Sequence, residues 1–196
     1  MSSTPSVPPP LLAIIAGLPA GVRDHLYRVR DVALELAARF RVDAGKVELA
    51  ALGHDLYRAM PPDEMLALAQ QWGLKMHPVD ERVPILLHGP LAAERLRRDC
   101  GVTDAEVLEA VWWHSTGCAG MGPVALVVLL ADKLDPHKVE SRDFLKPVAE
   151  AAQGSLERAA IEYLTADIAG LVARGDLIHP ASVEARNDLL MRLDKG

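Results

Sequence analysis

Apolar residues recur in this chain every three or four places and almost nowhere alternate one by one. That spacing marks one-sided α-helices, because about 3.6 residues complete a turn. Over residues 22–40 the stripe is Val29, Val32, Ala33, Leu36, Ala37 and Phe40, and His25 falls on the same buried face. Asp43 is a cap for a second helix in which Val47, Ala50, Ala51 and His54 share a face. Pro62 opens a third helix and Gly73 closes it, in line with the end preferences of each residue. A fourth spans residues 84–99, with Gly101 as its stop. Thr103 and Glu106 read as a capping box for a fifth, whose inner face is Val107, Ala110, Val111 and His114. After a Gly-rich loop over 115–122, the stretch Pro123–Lys133 is apolar nearly all round and is expected as the central helix. Two more amphipathic helices are expected over 156–173 and 181–193. With no internal repeat and no strand-like alternation beyond four residues, the expected fold class is all-α.

Composition adds boundaries to this picture. Half of the 196 residues are hydrophobic and 4% are aromatic, so the core is expected to be built from Ala, Leu and Val within one domain over residues 11–196. The first ten residues form a Pro/Ser tail, expected to be disordered. A net charge of −6 argues against a nucleic-acid binder, which needs a basic face. No run approaches the roughly 20 apolar residues of a membrane span, and the chain opens without the basic start of a signal peptide. Cys100 and Cys118 make no disulfide framework, so the expected location is cytoplasmic.

Six side chains carry the chemistry: His25, His54, Asp55, His88, His114 and Asp132, each delivered by a separate helix-like stretch except the adjacent pair. Leu52-Gly53-His54-Asp55-Leu56 and Leu129-Leu130-Ala131-Asp132-Lys133 put each carboxylate at the end of an apolar run. Burying such a charge costs several kcal/mol unless a cation or strong hydrogen bonds compensate. A centre holding two divalent metal ions removes that cost. Adjacent helical residues point about 100° apart, so His54 and Asp55 serve one ion only where a helix ends, and a carboxylate placed there is able to bridge two. Imidazole and carboxylate without thiolate suit iron, manganese, cobalt or zinc.

The order His…His-Asp…His…His…Asp resembles the HD-domain superfamily of metal-dependent phosphohydrolases. Within it, Leu52-Gly53-His54-Asp55, Leu87-His88-Gly89-Pro90, Trp113-His114-Ser115-Thr116-Gly117, Ala131-Asp132-Lys133-Leu134-Asp135-Pro136 and Ile178-His179-Pro180 look like the YqeK-type branch of symmetrical bis(5'-nucleosyl)-tetraphosphatases. The resemblance implies a helical bundle, usually dimeric, around a two-iron centre. His25, His54, Asp55 and Asp132 would hold one ion, Asp55 would bridge, and His88 and His114 would complete the second. It further implies cleavage of diadenosine tetraphosphate to two ADP, by attack of a metal-bridged hydroxide on an inner phosphorus. His88, His114, Thr116, Gly117, Lys138 and His179 would then meet the substrate. Lys138 stands where the branch generally carries Arg, which keeps a phosphate contact but not a bidentate one, and the basic residue before the first His is displaced to Arg23.

Arg58 and Lys133 are either phosphate-stabilising catalytic groups beside Asp55 and Asp132 or surface ion-pair partners. His179 either stacks on a base or packs a helix start. Of Trp112 and Trp113, one is expected in the core and the other at the pocket, while His77 and His137 are expected in exposed loops. Rival readings are an HD nucleotidase acting on monophosphates, a mixed-valent di-iron oxygenase with the same ligands, and a non-catalytic nucleotide sensor. The cyclic dinucleotide branch is disfavoured by the absence of its Gly-Tyr-Pro signature.

Overall fold

The computed structural model describes residues 7–194, which form α-helices with no strand among the described residues. In order they are α1 (Pro9–Ala16), α2 (Ala20–Phe40), α3 (Ala44–Gly53), α4 (Pro62–Gln71), α5 (Pro78–Arg82), α6 (His88–Asp99), α7 (Ala105–Trp113), α8 (Pro123–Lys133), α9 (Pro136–Ser141), α10 (Leu145–Ala151), α11 (Leu156–Arg174) and α12 (Pro180–Leu193), with a 3-10 turn at Pro84–Leu87 before α6.

α8 is the axis of the molecule. Every residue from Val124 to Asp132 is buried, and α2, α3, α7 and α11 pack around it. A helix with no polar stripe has to be surrounded in this way. Each Val or Leu fully buried there contributes about 1.5–3 kcal/mol. α2 turns Leu26, Val29, Ala33, Leu36 and Ala37 inward, which is the three-four stripe that the sequence displays. A smaller apolar cluster of Met65, Ala69, Leu87 and Leu91 joins α4 to the 3-10 turn and α6.

Four local details differ from expectation. α7 is capped by Asp104, whose carboxylate accepts from the backbone N–H of Glu106 (3.0 Å) and Val107 (3.2 Å). Glu106 pairs with Lys46 rather than reaching back to Thr103, and an ionised carboxylate at a helix N-terminus also gains from the helix dipole. The fourth helix is split, because Pro90 lacks an N–H and its ring would clash with the carbonyl four residues back. A 3-10 turn therefore precedes α6, and His88 becomes the first residue of the new helix. Pro9 and Pro10 open α1 rather than belonging to a disordered tail; residues 1–6 lie outside the described residues. The short helices α5, α9 and α10 carry too few apolar repeats to stand out in the sequence. Accordingly His77 caps α5 and His137 sits inside α9, though both are exposed.

Candidate metal centre

Each of the six groups reaches the centre from a helix or its end. His25 lies on α2; His54 is the residue at which α3 stops, and Asp55 follows it in a turn. His88 starts α6, His114 ends α7, and Asp132 stands on the last turn of α8. Ligand atoms of His25, His54, Asp55 and Asp132 lie within 4.8 Å of one another, and so do those of Asp55, His88 and His114. Asp55 belongs to both sets. Its Oδ2 is 3.5 Å from His25 Nε2 and 3.6 Å from His54 Nε2, while its Oδ1 is 3.1 Å from His88 Nε2 and 3.5 Å from His114 Nε2. One carboxylate thus faces two groups of nitrogens with different oxygens.

The hydrogen bonds show what these nitrogens are prepared for. His54 Nδ1 donates to Ala51 O (2.7 Å), His114 Nδ1 to Val111 O (2.7 Å), and His88 Nδ1 to Ile85 O. A carbonyl only accepts, so each Nδ1 carries a hydrogen, and in its neutral form each ring aims a lone pair inward from Nε2. His88 and His114 Nε2 face each other at 2.9 Å, and His54 Nε2 is fully buried with no hydrogen-bond partner among the described residues. Opposed lone pairs and an orphaned buried nitrogen fit a bound cation. The donor set therefore fits two ions, one facing His25, His54, Asp55 and Asp132 and one facing Asp55, His88 and His114.

Charge follows the same logic. Burial alone would raise the Asp55 and Asp132 carboxyls, but the imidazoles and Lys133 outweigh it and hold both well below the usual carboxylate range. Burial pushes the His114 imidazole down to about 4 against an opposing bond to Asp55, so it stays neutral at physiological pH.

Two residues near the centre went unrecognised in the sequence. Asp135 is buried, accepts from His25 Nδ1 at 2.6 Å, and takes a two-pronged contact from Arg28 at 2.9 Å through each nitrogen. It fixes the His25 ring so that Nε2 faces inward. The signal was present: Asp135 follows Asp132 by one helical turn, as Arg28 follows His25, yet Asp before Pro136 also reads as a plain helix cap. Ser115 was likewise passed over, although its Oγ is 3.2 Å from Nε2 of both His88 and His114.

Close approach of α6 and α7 depends on Gly89. A Cβ there would sit 2.7 Å from Trp112 O and 3.0 Å from Val111 O, both backbone atoms that cannot step aside. Gly117 has φ +68°, and its Cα side packs on Ala185 and Met121, which ties the loop after His114 to α12.

Two cavities meet at Ser115. The larger, about 680 Å³, is lined by Trp112, Trp113, Thr116, His77 and His179. His179 caps α12 through Nδ1, which accepts from Ala181 N at 3.1 Å, and its ring centroid is 6.3 Å from that of Trp113. His179 therefore packs the helix start, and its ring also lines the cavity. Both tryptophans are half-buried and both line the cavity. The smaller cavity, about 120 Å³, carries Arg58, Lys133 and Lys138 beside Asp55 and Asp132. Lys133 Nζ is 2.7 Å from Asp132 Oδ2 and lies over the Tyr163 ring, and Lys138 bonds the other Asp132 oxygen.

This arrangement defines a class. Residues 22–137, more than half of the chain, match the HD domain, and the protein belongs to the HD-domain family. It is related to the symmetrical bis(5'-nucleosyl)-tetraphosphatase of Bacillus subtilis (strain 168), 30% identical over 156 residues that cover 80% of this chain and 82% of that one. The protein of the same name from Halalkalibacterium halodurans is 30% identical over 169 residues, 85% of this chain and 88% of its own. A crystal structure of a predicted HD superfamily hydrolase involved in NAD metabolism, from Clostridium acetobutylicum, superimposes with a TM-score of 0.84 at 26% identity, covering 93% of this chain and 95% of that one. No helix among the described residues is long and apolar enough to cross a membrane.

Proposed function

We propose that this HD-domain protein is a metal-dependent phosphohydrolase that cleaves diadenosine tetraphosphate symmetrically, releasing two ADP. Relatives bearing the name of that reaction support the reading. The observation that carries it is Ser115, which lines both a cavity roomy enough for a nucleoside and a narrow cationic groove that holds Asp55, His88 and Asp132. Small-molecule sites of about 300–1,000 Å³ enclose ligands of nucleoside size.

In this reading His25, His54, Asp55 and Asp132 hold one ion, and Asp55, His88 and His114 hold the other. Such a pair of ions would make hydroxide available near neutral pH and offset charge on the phosphoryl oxygens. The remaining work belongs to the chain. Trp113 and His179 wall the nucleoside, with Thr116 beside them. Ser115 sets a hydroxyl where the inner phosphates pass between the cavities. Lys133, kept charged by Asp132 although burial opposes it, and Arg58 offer cationic donors to non-bridging oxygens. Iron as the ion and a homodimer as the assembly belong to the same proposal; metal analysis of protein purified without chelator and light scattering test them.

Incubation of the metal-loaded protein with diadenosine tetraphosphate is expected to give ADP as the sole nucleotide product. AMP with ATP would move the cleaved bond, and a preference for monophosphates with release of nucleoside and phosphate would restore the nucleotidase reading. The cationic groove also favours phosphate chemistry over oxygen chemistry, so turnover is expected to persist without dioxygen.

A further inference from the structure

We propose that Arg142 grips the part of the phosphate chain farthest from the enclosed nucleoside, by bidentate contact from its guanidinium. The inference rests on the reading above and assigns a contact that neither the sequence motifs nor the site geometry had marked.

Four cations line the narrow groove: Arg58, Lys133, Lys138 and Arg142. Two are already committed to the metal centre, since Lys133 and Lys138 bond the two oxygens of Asp132. A lysine so held positions a ligand carboxylate and has fewer donors left for substrate. Among the described residues neither Arg58 nor Arg142 makes a hydrogen bond or close ion pair with a carboxylate, though the Asp167 carboxylate lies within electrostatic reach of Arg142, so both guanidiniums keep N–H donors for a phosphate. A planar fork matches two phosphate oxygens at once, which an ammonium does not do.

Arg142 is placed for the far phosphates by the helix that bears it. α9 starts on Asp135, whose carboxylate is fastened to His25 and Arg28, so its first turn is anchored to the metal centre. Its six residues advance about 9 Å along the axis. Arg142 follows as the C-terminal cap, in an extended conformation (φ −137°, ψ 97°) that ends the helix and puts the side chain in the groove wall beside Phe144 and Leu145. Arg58, by contrast, hangs from the turn that begins at Asp55, its N–H donating to Asp55 O at 3.0 Å. The two guanidiniums thus enter the groove from different parts of the chain. Once ions offset Asp55 and Asp132, Asp167 is the acid left lining the groove, against these four cations.

Titration calorimetry of inorganic pyrophosphate into the metal-loaded protein reads this grip without turnover, so it separates the inference from the proposed reaction. Arg142→Ala is expected to weaken pyrophosphate binding about ten- to a hundredfold, the range for losing charge-assisted hydrogen bonds. Arg142→Lys should recover part of that loss. Adenosine affinity, bound metal and melting temperature should stay at wild-type values, and Lys146→Ala, which removes the same charge outside the groove, should leave pyrophosphate binding unchanged. Unaltered pyrophosphate affinity in Arg142→Ala, or an equal loss in Lys146→Ala, would overturn the assignment. If pyrophosphate binding falls as expected but diadenosine tetraphosphate is not cleaved by the wild type, Arg142 stands as a phosphate contact and the proposed substrate is wrong.

Discussion

His54 condenses the physical problem of this centre into one atom. Its Nε2 is buried with no hydrogen-bond partner among the described residues, a condition that costs about 1–3 kcal/mol when nothing compensates. The histidines and aspartates were legible because charged or basic groups at the ends of apolar runs need a reason to be there. Asp135 was not, since one carboxylate before a proline serves a helix cap equally well. Its larger duty is testable: Asp135→Asn should lower metal affinity about 10–100-fold with the fold retained, measured by competition with a chelator. A retained affinity would reduce Asp135 to a cap. The pH dependence has a definite sign. Burial opposes charge on His25, but hydrogen bonds to Asp132 and Asp55 outweigh it and raise the imidazole to about 9. In the metal-free protein this contributes stability that is complete below about pH 6.5 and fades as pH climbs through about 9. A metal needs the same nitrogen unprotonated, so metal-induced stabilisation should run the opposite way, growing with pH across that window. Thermal melts with and without metal, from about pH 6 to about pH 10, should show the gap widening; a constant gap would rule out His25 as the titrating ligand.

The helices themselves were readable wherever a stripe of three or more apolar residues repeats, as in α2, α3 and α8. Short helices escaped, because one or two turns present too few residues for any period. Ends were less certain where two competent caps adjoin, as Thr103 and Asp104 do. Asp104→Ala should cost about 0.5–2 kcal/mol, whereas Thr103→Ala should stay within about 0.5 kcal/mol, as denaturant unfolding of both variants would show. The split before α6 has a steric origin in Pro90, and its use is to make His88 a helix-starting residue whose Nδ1 meets Ile85 O. Gly89 then permits the contact with α7. Gly89→Ala drives a methyl into Trp112 O and Val111 O, at about 1–3 kcal/mol. It should also part His88 from His114, so metal stoichiometry is expected to fall along with melting temperature. Wild-type stoichiometry at a lowered melting temperature would show that the second group of ligands tolerates the shift.

Taken whole, the molecule is a helical cage drawn around α8, with the polar centre where five helices bring their ends or inner faces together. Because the ligands come from α2 through α8, ions bound there tie most of the chain, and loading should stabilise it by mass action, by about 2.7 kcal/mol at a hundredfold excess over Kd. Chelation should lower the melting temperature accordingly; an unchanged melt would mean that the ligands do not bind metal in the folded state. The amino-acid order was enough to set the helical class and the six converging groups, because periodicity and the cost of buried charge are local matters that each segment declares. It could not set which oxygen of Asp55 faces which nitrogens, that Asp135 and Arg28 brace His25, or that two cavities share Ser115 in their walls. Those are for the most part relations between segments more than twenty residues apart, and they exist only once packing has fixed the distances between them.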